Sequence, residues 1–383
     1  MRYDNTWPRS ERRAGNLVPA KANAAVRLLI ANRHGRRYGS VGQGLRGKKG
    51  KEKMSRKMHF PLDSTSCLPY SSSMNSEELN LMTLANQYAD EDKARELLES
   101  LRWPKGPVCP HCRHDKAYRL TPRPTSKSPG RKGLLKCAKC RKQFTVLKGT
   151  IFESSHVTCA QWVMAIYLMC ASKKGISACQ LERMLGLSHK SAWFVAHRVR
   201  HMMTEGPLAK MLSGDVEVDE TYVGGKPRFG TGPHKTGRGT KKTPVMVLVQ
   251  RNGGVKTRVI DRVNAKTLHA VILENVARDS IIVTDEWAGY RGIGKHYGGR
   301  HFSVNHGAKQ YVNGPIHTNT AESFFSLLKR GVVGTFHHIS RKHTHRYANE
   351  FAFRWANRKV DDSERTKVAI GMAEGKRLMY RDS

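Results

Sequence analysis

Three acids occupy positions from which they could share one task. Asp219 sits in the middle of "DVEVDETYV", Asp285 ends "SIIVTD", and Glu322 lies near the start of "HTNTAESFFSLLKRG". The first run alternates apolar and polar residues, as a strand does, so Asp219 faces one side and its neighbours Val218 and Glu220 the other. Asp285 stands at the carboxyl end of an apolar strand, where open α/β sheets place their sites. Glu322 follows 37 residues later, on a helix that would lie across both. Three converging carboxylates repel one another too strongly to stand without cations. Hard oxygen donors suit Mg2+ or Mn2+. Two such ions would activate a nucleophile and stabilise a leaving oxygen at a phosphodiester. Glu217 and Glu220 remain alternatives to Asp219 as ligands.

The helix that carries Glu322 has two faces. At about 100° per residue, Glu322 and Lys329 fall nearly in line, with Ser326 beside them. Ala321, Phe324, Phe325 and Leu328 point the other way and are predicted to be core. Asn319 reads as an N-cap, with Glu322 three residues on closing a capping box.

A second constellation is sulfur. Cys109 and Cys112 form one CxxC and Cys137 and Cys140 another, with 24 residues between them. Each CxxC turn aims two thiolates at one ion, and two turns complete a tetrahedral Zn2+ site. Short strands around the turns predict a zinc ribbon. All four positions are filled by sulfur, so the metal's role is structural. His111 and His114 are expected outside the coordination sphere. Cys159, Cys170 and Cys179 are expected as buried apolar residues.

Between these two sets, residues 159–203 read as helices. The tight turn "GLS" at 186–188 separates two of them at helix-turn-helix spacing, and Ser188 is a natural N-cap. The second helix carries His189, Lys190, His197, Arg198 and Arg200, a basic face of the kind that enters a major groove.

Composition limits the partners. Lys and Arg number 68 against 31 Asp and Glu, a formal charge of +37 over 383 residues. Nucleic acid is the polyanion that best matches such a charge. No apolar run approaches the roughly 20 residues of a membrane span, and no secretory signal is evident. Paired cysteines in a reducing cytoplasm point to metal rather than disulfides. Residues 1–60 carry 16 Lys or Arg against three acids, with much Gly and little periodicity. That composition predicts a disordered basic extension over 1–74, with Met1, Met58 and Met74 all possible starts. A Gly-rich basic loop, 224–243, is expected to follow the DNA backbone; it lacks P-loop spacing, so an ATPase is excluded.

From residue 214 the order is strand, strand, strand, helix, strand, strand, helix. This predicts a mixed α/β sheet of the ribonuclease H type, in which the strands of Asp219 and Asp285 are neighbours. The domain plan is a basic extension (1–74), a short helical segment (75–105), a zinc ribbon (106–150), a helix-turn-helix-like region (151–206), the mixed-sheet domain (214–358) and a tail (359–383).

The stretches "LRWPKGPVCPHC", "VEVDETYVGG", "TDEWAGY", "VNHGAKQYV", "HTNTAESFFSLLKRGVVGTFHHIS" and "RYANEFAFRWANR" together resemble the DDE transposases of bacterial insertion sequences, in the subgroup with an N-terminal zinc ribbon. The resemblance covers about residues 75–358. It implies metal-dependent cleavage at terminal inverted repeats, then attack by the freed 3′-hydroxyl on target DNA. Asp219 and Asp285 match the first two acids. For the third, Asn319 competes with Glu322, because an Asn can stand there in this subgroup. Lys329 would hold a phosphate. A homodimer or larger assembly on DNA, in a bacterial cytoplasm beside the nucleoid, is the implied setting. His306 and His317 are candidates to line the site, whereas Trp287 and Tyr290 are expected to pack the strand end. A nuclease or resolvase of the same fold, and a DNA-binding regulator, are the competing readings; the regulator leaves the three acids unused.

Overall fold

The computed structural model describes residues 79–121, 132–206, 210–225, 240, 242–304 and 316–382. The basic extension, most of the 224–243 loop and His306 lie outside them.

Two short helices come first, α1 (Leu81–Asn86) and α2 (Glu91–Arg102), the second with acids in its first turn and Arg102 in its last. That charge order suits the helix dipole. A three-stranded antiparallel ribbon follows: β1 (Ala117–Arg119), β2 (Leu135–Cys137) and β3 (Gln143–Phe144). Trp103 packs edge-on against Phe144, with ring centroids 5.9 Å apart. Arg102 donates to the Val146 and Lys148 carbonyls, which fixes the ribbon to α2.

Next come α3 (Cys159–Ala171), α4 (Ala178–Leu185) and α5 (His189–Met202). Thr158 and Gln161 form a capping box at α3, and Gly186 closes α4 at φ +63°. That left-handed conformation is open to glycine without a Cβ penalty. Ser188 caps α5 through the Ser191 N–H, as expected.

The large sheet is built from β4 (Asp215–Val223), β5 (Thr243–Gln250), β6 (Val255–Val259), β7 (Ile281–Asp285) and β8 (His301–Val304). Their spatial order is β6-β5-β4-β7-β8. The first three pair antiparallel, and β7 and β8 join in parallel. Helix α6 (Ala265–Asn275) covers one face, with Leu268 and Ile272 meeting Val216, Val218, Met246 and Leu248. Helices α7 (Asn319–Gly331) and α8 (Thr344–Ala356) cover the other, where Phe324, Leu328 and Phe351 meet Val245, Val247 and Val249. Successive residues of β5 and the valines and acids of β4 therefore sort onto two faces, each with its own core.

A last helix, α9 (Asp362–Gly371), returns to the N-terminal half. Ala369, Ile370, Ala373 and Leu378 share a core with Ala94, Leu98, Trp162 and Ile166. Lys376 donates to the carbonyls of Met202 and Thr204, closing the end of α5.

The basic face expected along α5 is mostly not a surface. His197, Arg198 and Arg200 are buried, and only the first turn, with His189 and Lys190, is exposed. Arg200 lies 2.6 Å from the Glu350 carboxylate of α8, and Arg354 reaches the other oxygen at 2.5 Å. Three buried charges thus join the helical half to the sheet half. Glu350→Ala would leave two guanidinium groups buried without a counter-charge, and the expected loss is about 3–5 kcal/mol. Urea unfolding of the variant against the parent measures it. Cys179 also departs from expectation. It is exposed in the first turn of α4, with its Sγ 3.8 Å from His189 Nδ1.

Candidate active site

Strand register brings the first two acids together. β4 and β7 run parallel with Glu217 opposite Val283. Continued two residues, this register sets Asp285 beside Asp219 on one face. Carboxylate oxygens of Asp219, Glu220 and Asp285 lie within 4.8 Å of one another. Glu220 is the surprise: its Cα places it on the opposite face, but its carboxylate joins the cluster. The strand expectation that Glu220 points away holds for the backbone and fails for the end of this longer side chain.

Around the cluster, the Glu220 N–H donates to Asp219 Oδ1 at 2.7 Å, and the Trp287 N–H to Asp285 Oδ1 at 3.2 Å. Tyr290 is buried and packs at 88° to the Trp287 ring, so these two aromatics close the strand end by packing, as expected. Burial pushes the Asp219 carboxyl up to about 7, and the charges of Asp285, Glu220 and Glu322 add to the rise against the Glu220 N–H. A group held partly protonated near neutrality by neighbouring acids marks a place that favours a cation.

Helix α7 presents the remaining candidates. Ala321, Phe324, Phe325 and Leu328 are buried, while Asn319, Glu322, Ser326 and Lys329 are exposed. Glu322 acts electrostatically on Asp219 but stands outside the group of three close carboxylates. The Lys329 ammonium lies 5.9 Å from the centroid of the Phe325 ring.

The start of α7 differs from the capping box expected of Asn319. Asn319 is the first helical residue, and the cap position falls to Thr318, whose side chain makes no cap bond. Glu217 supplies the cap instead. Its carboxylate accepts from the Thr320 N–H at 2.8 Å, the Ala321 N–H at 3.0 Å and the Thr320 hydroxyl at 2.8 Å. Arg251 donates its Nε–H to the same group at 2.8 Å and an Nη2–H to the His317 carbonyl at 2.9 Å. His317 Nδ1 lies 3.3 Å from Glu217 Oε1. A carboxylate at a helix N-terminus satisfies orphan N–H groups and suits the dipole. Glu217 and Asp219 share a strand face, so this fully buried carboxylate ties α7 to the strand that bears the acids. One signal for it was available: Glu217 keeps strand phase with Asp219, so it shares the face that a following helix would cover.

The second metal-binding candidate is the ribbon. Cys109, Cys112, Cys137 and Cys140 all lie within 4.8 Å of one another. Sulfurs of Cys109 and Cys140 are 3.6 Å apart, and those of Cys112 and Cys137 3.5 Å. Four thiolates at about 2.3 Å from a tetrahedral zinc would stand about 3.8 Å apart, close to what is seen. Both turns close alike: Arg113 and Arg141 take φ near +60° and donate their N–H to the Cys109 and Cys137 carbonyls. His111 is exposed, and His114 pairs with Asp115.

Among the described residues, no helix is long and apolar enough to cross a membrane. The family described as ISXO2-like transposase domain matches residues 211–356, and the transposase zinc-ribbon domain matches 89–143. A protein of Halobacterium salinarum, described as an uncharacterized protein in transposable element ISH50, is 29% identical over 260 residues, covering 63% of this chain and 83% of the relative. A four-cysteine ribbon and a strand-borne cluster of acids each fall within a matching family domain: the chain carries an ISXO2-like transposase domain preceded by a transposase zinc-ribbon domain.

Proposed function

We propose that this protein is a transposase that binds the terminal inverted repeats of its element, cuts at the element's ends and joins the freed 3′-hydroxyls to target DNA. One observation carries the reading: Asp219, Glu220 and Asp285 converge beneath a helix that presents Glu322, Asn319 and Lys329. The sheet order β6-β5-β4-β7-β8 supports a ribonuclease H-like fold for 214–358. The ribbon, taken as 106–150, and the helix-turn-helix-like region, 151–206, are the proposed end-reading modules, with 75–105 as their helical base. Residues 1–74 add basic charge, and 359–383 complete the first core.

The donor set fits two Mg2+ or Mn2+ ions, because three carboxylates crowd together and one of them is driven towards its protonated form. When bound, the ions supply positive charge at the scissile phosphate and acidify the attacking water. The residues of the chain do the placing. Asp219 and Asp285 hold the cations from adjacent strands, and Glu220 closes the cluster. The third catalytic position is Glu322, with Asn319 one turn earlier in reach of the same place. Glu217 fixes the helix that presents them. Lys329 neutralises a backbone phosphate. Hydrolysis breaks one P–O bond and leaves a 3′-hydroxyl and a 5′-phosphate. That hydroxyl then attacks a target phosphodiester and displaces its 3′ oxygen. One Zn2+ on Cys109, Cys112, Cys137 and Cys140 is structural, and end pairing calls for at least a homodimer on DNA.

The test is direct. Full-length protein with Mg2+ and a duplex carrying the DNA that flanks its gene is expected to yield 3′-hydroxyl ends at the inverted repeats, and none with EDTA. Joined products on a second duplex identify strand transfer. Cleavage of branched DNA without joining would replace this reading with a resolvase.

A further inference from the structure

A groove runs along α7 from Glu322, lined also by Lys174, Phe325, Ser326, Lys329, Arg330, Val333 and Gly334. Seven of these belong to α7 and the π-helical turn that continues it, Val332–Phe336. Lys174 does not. It sits on the turn between α3 and α4, in the helical half of the molecule.

That turn is held firmly against α7. A Cβ added at Gly331 would lie 2.9 Å from the Lys174 carbonyl and 2.2 Å from Phe351. Gly175, at φ +88°, presses on Phe336, where an added Cβ would come within 2.5 Å of the ring. The Ser172 hydroxyl donates to the Gly175 carbonyl at 2.7 Å and braces the turn. Contact of this kind leaves no room for any side chain at Gly175 or Gly331, so the Lys174 backbone has a fixed place relative to Glu322.

Lys174, Lys329 and Arg330 are exposed. Among the described residues, none of them forms an ion pair. Among the described residues the single carboxylate lining the groove is Glu322, in the first turn of α7, and its charge acts on Asp219. Val333 is 71% exposed and offers an apolar contact suited to a deoxyribose face. Three cations without ion-pair partners along an open groove that also holds Glu322, whose charge reaches Asp219, match a polyphosphate strand, with its scissile phosphate at the acids and its neighbours at the cations.

We propose that Lys174 is a DNA-backbone ligand: with Lys329 and Arg330 it binds the phosphates next to the scissile one, so that the helical half grips the strand being cut. The proposal rests on the transposase reading for its substrate. It adds that a residue outside the ISXO2-like domain completes the strand's track.

The experiment compares the full-length protein with Lys174→Gln, Lys174→Arg and Lys173→Gln. Lys173 is the matched control, an equally exposed neighbour of equal charge that does not line the groove. Affinity for a duplex of arbitrary sequence is measured against KCl concentration, because phosphate contacts carry no sequence information. Each lost phosphate contact lowers the log–log slope by about 0.9. Lys174→Gln is expected to show that drop, so that its affinity falls about 3.5-fold less than the parent's between 50 and 200 mM salt. Lys174→Arg keeps the parent slope, and so does Lys173→Gln. Equal slopes for Lys174→Gln and Lys173→Gln overturn the proposal. Because the duplex need not be cleaved, loss of the transposase reading shows separately, as failure of the parent to cut its element's ends.

Discussion

Asp285→Asn is expected to abolish DNA cleavage, lowering the rate by at least about 1,000-fold, or ~4 kcal/mol of transition-state stabilisation. The amide keeps the shape and can still accept from the Trp287 N–H, but it removes a negative charge from the group of three close acids. Asp219→Asn is expected to do the same, and it offers a readout that needs no turnover. The Asp219 carboxyl is raised to about 7, first by burial. In the metal-free protein the folded state therefore holds a proton that the unfolded chain releases near the usual carboxylate value. The stability this provides is complete below that value and is lost as pH rises through about 7. Metal-free parent protein should accordingly melt at falling temperatures between about pH 4 and 7 and level off above that, while Asp219→Asn lacks that component. Mn2+ affinity should rise with pH over the same window, because binding must expel the proton. Calorimetric Mn2+ titrations in buffers of different ionisation enthalpy read that proton release. A flat melting profile in the parent would refute the account.

Stripping the ribbon metal should have the larger structural effect. β1 to β3 contribute only eight strand residues, and little apolar area beyond Leu135, Phe144 and Val146 is buried there. So small a unit depends on its metal, which in zinc-finger peptides supplies an apparent ~10–16 kcal/mol. Cys137→Ser, or a strong chelator, is expected to unfold the ribbon and release one Zn2+ per chain. The large sheet, built on two other cores, should keep its cooperative transition. Elemental analysis reports the metal, and hydrogen exchange localises the loss. Exchange that rises equally in β4 and β5 would show that the ribbon and sheet do not unfold separately.

What could be read from the sequence was what local spacing determines. The two CxxC turns, the two-faced α7 and the alternation along β4 each place side chains through short-range geometry, and the structure keeps all three. What could not be read depends on partners far along the chain. Glu217 meets the start of α7 across 103 positions, so Asn319 looked like the cap. Arg200 meets Glu350 across 150, so a buried ion pair looked like part of a groove-reading face. Glu220 was assigned by strand parity, which fixes a Cα and not the end of a longer side chain. In each case a charged group found a tertiary partner that composition and period do not encode.

The return of α9 to the first core has a consequence for how the protein is made. Helices α2 and α3 emerge from the ribosome before the large sheet, and Ala369, Ile370 and Leu378, which complete their core, only after it. The helical half cannot finish folding before the large sheet has been made. A chain broken off within the large sheet therefore lacks the residues that close the first core, so the path of the chain couples an intact helical half to a completed sheet.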